Sequence, residues 1–303
     1  MQKIEIPETD FIIEYYWDNE FDQIFQYIDR NLTKNYTETF RNTEKYNLTQ
    51  IYQHQIANAS FQCEKQQLQY KQWQKIDQYL FVNEIPNVDS LHNLIEPTCE
   101  FIRKSDVFIG LRQSYINFSC QHCGLNPEHL QELQIQNLVN WFYKNQINLC
   151  PIIGFICYLL YCRIHPSLDG NGRMGRLLFL ENLNLERYYP ISFIIDILRD
   201  ESLQQLYNLS NFKLIKQNEH NIQYPLANEY YIIKLDKNYV KLIIKILLQS
   251  KLYTYLSSQV KQESIIFIRK FMRNPDCQKS IHQQNILDQL LDIDQYQNCW
   301  KLL

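Results

Sequence analysis

Residues 165–176 read HPSLDGNGRMGR and hold three of the six glycines of this 303-residue chain. A glycine permits positive φ and lets the backbone approach a ligand closely, at a cost in chain entropy, so a cluster in a glycine-poor chain indicates function. The glycines are flanked by a histidine, a carboxylate, a carboxamide and two arginines. The segment thus combines a base, a metal ligand and phosphate contacts, which together indicate nucleotide chemistry.

The local structure expected for this segment suits phosphate. Residues 152–162 are apolar nearly all round and predict a central buried helix that ends near Ile164, with a new helix starting near Gly172. A loop that opens onto a helix N-terminus presents free N–H groups and the positive end of the helix dipole. Gly170 and Gly172 would let those N–H groups approach a ligand, and Asn171 would add a side-chain donor.

The charged side chains of the segment fit the same chemistry. Arg173 and Arg176 are three positions apart, so they share one helical face, and guanidinium groups match phosphate oxygens. Asp169 offers an oxygen ligand suited to Mg²⁺, which binds through one or two carboxylates plus substrate phosphates. His165 is suited to act as a general base at neutral pH. A satisfied core histidine and a solvated arginine face are the alternatives, but the joint pattern favours a functional site.

The pattern H-P-x-x-D-G-N-G-R-x-x-R resembles the signature of Fic-domain proteins. Most characterised members of that family are all-α domains that transfer AMP from ATP to a hydroxyl side chain of a target protein. The resemblance implies that His165 deprotonates the target hydroxyl and that Asp169 holds Mg²⁺ on the phosphates of ATP. The remaining motif residues implied to bind the nucleotide, as an anion hole and phosphate contacts, are Gly170, Asn171, Gly172, Arg173 and Arg176.

An element upstream of the motif resembles the β-hairpin flap of the same family. Arg103 precedes residues 107–110, VFIG, and the residue pattern predicts two short strands at 107–110 and 115–118 around a turn. The resemblance implies that the flap binds a segment of the target protein by strand addition. The residues implied to form this flap are Val107, Ile109 and Gly110.

Two positions bear on whether such a site is active. Ser167 stands where the family usually has a Phe that packs beneath the loop, so the loop is expected either to loosen or to repack. Many Fic proteins also carry an inhibitory helix with the pattern Ser/Thr-x-x-x-Glu-Gly/Asn. Ser60 and Glu64 fit its first part, although Lys65 replaces the last residue. The resemblance implies that Glu64 pairs with Arg176 and blocks productive ATP binding; the alternative is an ordinary surface glutamate.

The expected fold is mainly α, a Fic-like helical domain with a small β-hairpin flap and additional N- and C-terminal helices. Residues 1–87 form an N-terminal helical region that carries the candidate inhibitory motif, residues 88–212 a Fic core, and residues 213–303 a C-terminal helical extension. Residues 211–229 are polar and predict an irregular connection. The remaining segments with helical periodicity are 127–146, 173–188, 194–209, 239–256 and 281–291.

Composition and charge limit the partners and the cellular compartment to be expected for this protein. The net charge of −3 gives no electrostatic reason to expect nucleic acid or an anionic membrane as a partner. The longest apolar stretch, 151–164, is short of the roughly 20 residues that span a bilayer. Residues 1–10 lack a secretory signal, so the nine cysteines are expected to be free thiols in a reducing, intracellular compartment, with the cytoplasm as the expected location. A lone CxxC at 120–123 favours unpaired thiols over a zinc site.

Two functions from different classes remain. The first is a Mg²⁺-ATP-dependent protein adenylyltransferase whose protein substrate binds along the flap. The second is a catalytically weak or inactive Fic-fold subunit of a larger assembly, which the change at Ser167 favours. Loss of catalysis would be expected to erode the motif, and its histidine, aspartate, asparagine and both arginines are all present. The sequence therefore favours the enzyme.

Overall fold

The computed structural model describes residues 1–28, 30, 57–62, 66–83, 85–109, 121–146, 149–180, 214–219, 228–259 and 293–302. Helices dominate this part of the chain, as expected. The helices are α1 (Asn19–Tyr27), α2 (Tyr70–Val82), α3 (Val88–Ile95), α4 (Glu132–Asn145), α5 (Pro151–Ile164), α6 (Asn171–Gly175), α7 (Lys237–Gln259) and α8 (Ile293–Leu302), with a further helical segment at 57–62 and a 3-10 turn at Pro127–His129.

Helix α5 is the centre of the core. Pro151 begins it, where the missing N–H costs nothing, and the helix is buried on almost every side. A Cβ on Gly154 would lie 2.7 Å from the Phe179 carbonyl oxygen, and one on Gly175 would lie 3.0 Å from the Tyr158 ring. The absence of these side chains lets α5 pack closely against α6 and its π-helical continuation, Arg176–Leu180. The central helix predicted from the sequence is therefore confirmed, and it supports the motif directly.

A four-stranded mixed sheet pairs the start of the chain with residues between 214 and 235. Its strands are β1 (Gln2–Glu5), β2 (Phe11–Tyr15), β5 (Leu214–Glu219) and β6 (Asn228–Leu235), in the order β1-β2-β6-β5. Strand β2 pairs parallel with β6, with Ile13 opposite Ile233, and the other two pairings are antiparallel. The irregular connection predicted at 211–229 is therefore wrong at 214–219 and 228–229. Backbone pairing with β6, rather than an alternating apolar pattern, makes that polar segment a strand.

The hairpin upstream of the motif is present in part. Strand β3 (Val107–Ile109) confirms the first predicted strand, and it pairs antiparallel with β4 (Gln121–Cys123). The second predicted strand at 115–118, and Gly110, lie outside the described residues. The predicted helix at 127–146 is a 3-10 turn followed by α4, because Leu130 and Gln131 are extended.

The remaining helix predictions fall into two groups. Helix α7 contains the predicted segment 239–256, with Asp236 accepting a hydrogen bond from the Tyr239 N–H at 3.0 Å at its start. The helices predicted at 194–209 and 281–291, and the end of 173–188 beyond Leu180, lie outside the described residues. None of the described helices has the length and apolar content that crossing a bilayer requires.

Candidate functional site

His165 caps the C-terminus of α5. Its backbone is left-handed, with φ of 51°, and its N–H donates to the Tyr161 carbonyl at 3.0 Å, so the chain leaves the helix abruptly at this residue. The ring Nδ1 lies 3.2 Å from the Cys162 carbonyl oxygen. A carbonyl only accepts, so this contact is a hydrogen bond when Nδ1 carries the proton, which leaves Nε2 with the lone pair.

The environment of His165 favours its neutral form. Burial is the main cause that lowers the pKa of the imidazole, and the positive charges of Arg103 and Arg163 lower it further, against the opposing hydrogen bond to Cys162. A neutral imidazole that carries its proton on Nδ1 is the form whose Nε2 can accept a proton. The residue predicted as the base is thus held in the state that a base requires.

Ser167 is part of a compact hydrogen-bonded turn. Its side chain is fully buried, and its hydroxyl lies 2.6 Å from the Asp169 carbonyl oxygen and 3.0 Å from Asn171 Oδ1. Asn171 Oδ1 accepts from the Ser167 N–H at 3.0 Å, and Asn171 Nδ2 donates to the Ser167 carbonyl at 2.7 Å. These bonds close the loop on itself. The loop is therefore held by hydrogen bonds around a small, buried polar residue.

Asp169 is the exposed carboxylate of the loop, with 58% of its side chain accessible. Its Oδ1 accepts from the Gly170 N–H at 2.6 Å and from Arg173 Nη2 at 3.0 Å. Gly170 has φ of 82°, which glycine adopts without strain, and a Cβ there would lie 3.0 Å from Glu96. The turn thus projects one carboxylate toward solvent immediately before the helix that carries the arginines.

Arg173 is buried in an ion pair that sequence reasoning did not predict. Its Nη2 donates to Glu96 Oε2 at 2.8 Å, with 1% and 9% of the two side chains exposed. Its guanidinium also lies 5.4 Å from the centre of the Phe61 ring, within cation–π range. Burial raises the pKa of Glu96, but the hydrogen bonds from Thr98 and Arg173 and the charge of Arg173 together outweigh it, so the pKa lies below its ordinary value. Glu96 is therefore ionised at neutral pH.

Arg176 contacts the segment that carries the candidate inhibitory motif. Its Nε donates to Ser60 Oγ and its Nη2 to the Ser60 carbonyl, both at 2.8 Å, and both residues are fully buried. The structure thus brings the first residue of the predicted motif to the second arginine of the loop. Glu64, the other predicted inhibitory residue, lies outside the described residues.

Helix α3 forms a wall behind the loop. His92 is fully buried and its Nε2 lies 3.2 Å from the Asp169 carbonyl oxygen, while Glu96 follows one turn later as the C-cap of the helix. The sequence offered one signal for this role, a histidine and a glutamate spaced four apart on an amphipathic helix. That spacing gives no indication of what the two residues contact.

Arg103 connects the base of the hairpin to the loop. Its backbone N–H donates to the Pro166 carbonyl at 2.8 Å, its Nε to the His165 carbonyl at 2.6 Å, and its Nη2 to the Leu125 carbonyl. Gly124, beside Leu125, has φ of 97°, and a Cβ there would lie 2.8 Å from Arg103 Nη2. The predicted flap residues Val107 and Ile109 lie on β3, which begins four residues after Arg103.

The donor set suits Mg²⁺ held together with phosphate better than a metal held by protein alone. Among the described residues, no three His, Cys, Asp or Glu side chains group closely enough to hold a metal. Asp169 supplies a single exposed carboxylate, and both of its described hydrogen bonds end on Oδ1. One carboxylate plus substrate phosphates is an ordinary way to bind Mg²⁺. The cysteine at position 120 of the CxxC pair lies outside the described residues.

Comparisons with known proteins support the fold. No protein-family model matches the chain, and no curated protein matches its sequence. Among solved structures, the chain is similar to a Fic family protein from Desulfovibrio desulfuricans G20, determined at 2.70 Å, with a TM-score of 0.50 and 16% sequence identity. The match covers 94% of this chain and 88% of that one. The resemblance seen in the motif is thereby confirmed at the level of the fold: the chain has a Fic-like helical fold.

Proposed function

We propose that this protein transfers AMP from Mg²⁺-ATP to a hydroxyl side chain of a target protein. One observation carries the proposal: a single short loop holds a neutral histidine and an exposed aspartate, and the helix that follows carries two buried arginines. The Fic-like fold around that loop supports it, although fold alone does not determine function.

In the proposed reaction, the target hydroxyl oxygen bonds to the α-phosphorus of ATP as the bond to the β-phosphate bridging oxygen breaks, and pyrophosphate leaves. The hydroxyl proton passes to Nε2 of His165. Arg103 holds the carbonyls of His165 and Pro166, so the imidazole is positioned by a buried, rigid partner. Catalysis of this kind depends mainly on positioning and on stabilising charge.

Asp169 is the residue proposed to hold the metal, because it is the exposed oxygen donor of the loop. When bound there, Mg²⁺ would supply positive charge to the phosphates and to the leaving pyrophosphate. The turn made by Ser167 and Asn171 fixes the backbone on both sides of this carboxylate. Gly170 and Gly172 are proposed to line the phosphate site together with Asn171.

Arg173 and Arg176 are proposed to contact the phosphates of ATP, and in the described state each has partners within the protein. Arg176 donates to Ser60 through two nitrogens. Binding of phosphate by Arg176 therefore competes with the segment 57–62. We propose that this segment, through Ser60, and the candidate inhibitory residue Glu64 that follows it restrain the site, and that their release raises activity.

A second function is favoured by a specific observation. Asn171, Arg173 and Arg176 are at most 4% exposed, and all three bond to protein groups. A site of this kind that never exchanges those partners for phosphate would be a structural element. The alternative is therefore a catalytically inactive Fic-fold subunit of a larger assembly.

Intact mass spectrometry after incubation with Mg²⁺-ATP separates the two functions. The variants are wild type, His165→Ala, Glu64→Gly and, as a matched control, His129→Ala, which alters a histidine outside the loop. The enzyme predicts addition of one AMP to wild type and to His129→Ala, none to His165→Ala, and more to Glu64→Gly. No mass increase in any folded variant, with or without added candidate target proteins, would favour the structural subunit.

A further inference from the structure

Glu96 holds Arg173 in place behind the loop, and it is not part of the motif. We propose that Glu96 is a positioning residue: it fixes the Arg173 guanidinium on the protein side, so that the Asp169 carboxylate stays available to a metal ion. The inference rests on the proposed function, since it assigns a role to Glu96 in the metal site of that reaction.

The geometry that supports this role is that Glu96 and Asp169 both contact the same nitrogen of Arg173. Arg173 Nη2 lies 2.8 Å from Glu96 Oε2 and 3.0 Å from Asp169 Oδ1, so the two carboxylates divide one donor. The Glu96 side chain is 9% exposed and the Asp169 side chain 58% exposed. Water screens the Asp169 contact much more than the Glu96 contact, and exposed ion pairs are weak. Of these two carboxylates, Glu96 therefore holds the arginine more strongly.

Glu96 is itself fixed, which a positioning residue requires. Its Oε1 accepts from the Thr98 backbone N–H at 3.3 Å and from the Thr98 hydroxyl, so one oxygen is held by Thr98 and the other faces Arg173. The carboxylate sits at the C-cap of α3, directly after a helix whose His92 also contacts the loop. The charge of Arg173 is thus balanced from a rigid element rather than from the loop.

Removing the charge of Glu96 would change what Arg173 pairs with. Of the two carboxylates, only Asp169 would still carry a charge beside the Arg173 guanidinium. The buried guanidinium would then pair with Asp169 more strongly. A metal ion would then have to displace that arginine. Residues that orient a metal ligand typically account for about 10–100-fold in metal affinity, so Glu96→Gln is expected to weaken metal binding by about tenfold or more.

The test measures binding of the Mn²⁺–ATP complex to the protein by isothermal titration calorimetry, with ATP alone titrated in parallel so that the contribution of the metal is separated. The variants are wild type, Glu96→Gln, Glu96→Asp and, as a matched control, Glu100→Gln, whose side chain is 71% exposed in an ion pair with Lys104. Glu100→Gln is expected to bind as wild type does. Glu96→Gln is expected to bind about tenfold or more weakly. Glu96→Asp keeps the charge and is expected to lie between them.

The outcomes separate this inference from the proposed function. Unchanged Mn²⁺ affinity in folded Glu96→Gln would overturn the role of Glu96 and leave the proposed function standing. Absence of Mn²⁺ binding by wild type with ATP would overturn the proposed function and this role together. If Glu96→Gln does not fold, Glu96→Asp decides: weaker binding at an unchanged thermal midpoint supports the role, and unchanged binding overturns it.

Discussion

Replacing Ser167 by alanine removes the hydroxyl at the centre of the loop. That hydroxyl lies 2.6 Å from the Asp169 carbonyl oxygen and 3.0 Å from Asn171 Oδ1, and its single hydrogen is best directed at the nearer oxygen. Alanine fits the same space, because it only deletes an atom. The Asp169 carbonyl would lose this donor. The hydroxyl would also no longer connect residue 167 to Asp169 and Asn171 by hydrogen bonds.

The expected cost is about 1–3 kcal/mol of unfolding free energy, the range for a buried polar group that loses its partner. The lower part of that range is favoured, because His92 Nε2 also lies 3.2 Å from the Asp169 carbonyl and offers it a second donor in one tautomer. The Ser167 N–H bond to Asn171 Oδ1 involves the backbone and would survive the substitution. The loop is thus expected to weaken without collapsing.

Urea denaturation followed by circular dichroism measures this cost. The matched control is Ser105→Ala, an exposed serine between Arg103 and β3, expected to change stability by less than about 0.5 kcal/mol. The comparison requires that the slope of unfolding free energy against urea concentration is the same in both variants as in wild type. If Ser167→Ala costs no more than Ser105→Ala, the hydroxyl does not hold the loop and this account of the Ser167 turn is refuted.

Three further predictions concern the residues around the loop. Gly124→Ala places a Cβ 2.8 Å from Arg103 Nη2 at a φ of 97°, so urea denaturation should show a loss of about 1–3 kcal/mol; a loss below about 0.5 kcal/mol would contradict the packing. The rate of AMP transfer should fall with decreasing pH through the pKa of His165, which burial lowers from its ordinary value of 6.5, whereas a rate that does not fall toward acid pH would contradict His165 as the base. Ser60→Ala removes one hydrogen bond to Arg176 and should raise transfer about fivefold in a radiolabel assay; an unchanged rate would remove Ser60 from the restraint.

The central helix and the motif loop were predictable because their signals are local. A helix that is apolar on all sides, as residues 152–162 are, is stable only when it is buried on all sides. The glycines after it mark the turn into the next helix. The strand at Val107–Ile109 was also visible as a short apolar run before a glycine. Each of these signals lies within one element, where period and composition are sufficient.

The sheet was missed because its central pairing joins residues more than 200 positions apart, Phe11–Tyr15 with Tyr231–Leu235. Strand β2 is five residues long and β6 has a mixed pattern, and their parallel pairing brings Phe11 beside Tyr231. A short apolar run does not indicate its own partner, and the polar residues of β5 resemble a loop. These segments form strands because their backbones pair with distant segments, and the local spacing of residues does not reveal that pairing.

The support behind the site was missed for the same reason. The motif indicated that Arg173 is charged and near phosphate, but nothing in it indicated that a carboxylate from α3 would face that arginine in the core. Only the packing of α3 against α6 brings Glu96 to Arg173 and His92 to the Asp169 carbonyl. The turn at Ser167 was also not predicted. It depends on a side-chain hydrogen bond to Asn171 that the motif does not indicate.

The most direct test of the central claim is the binding of Mg²⁺-ATP to the wild-type protein by isothermal titration calorimetry, beside Asp169→Ala, Arg176→Ala and the exposed-carboxylate control Glu128→Gln. If the loop at 165–176 is a nucleotide site, wild type and Glu128→Gln bind with the same affinity, and the two loop variants bind more weakly. Absence of binding to folded wild type at millimolar Mg²⁺-ATP, or equal binding by all four proteins, would contradict the claim.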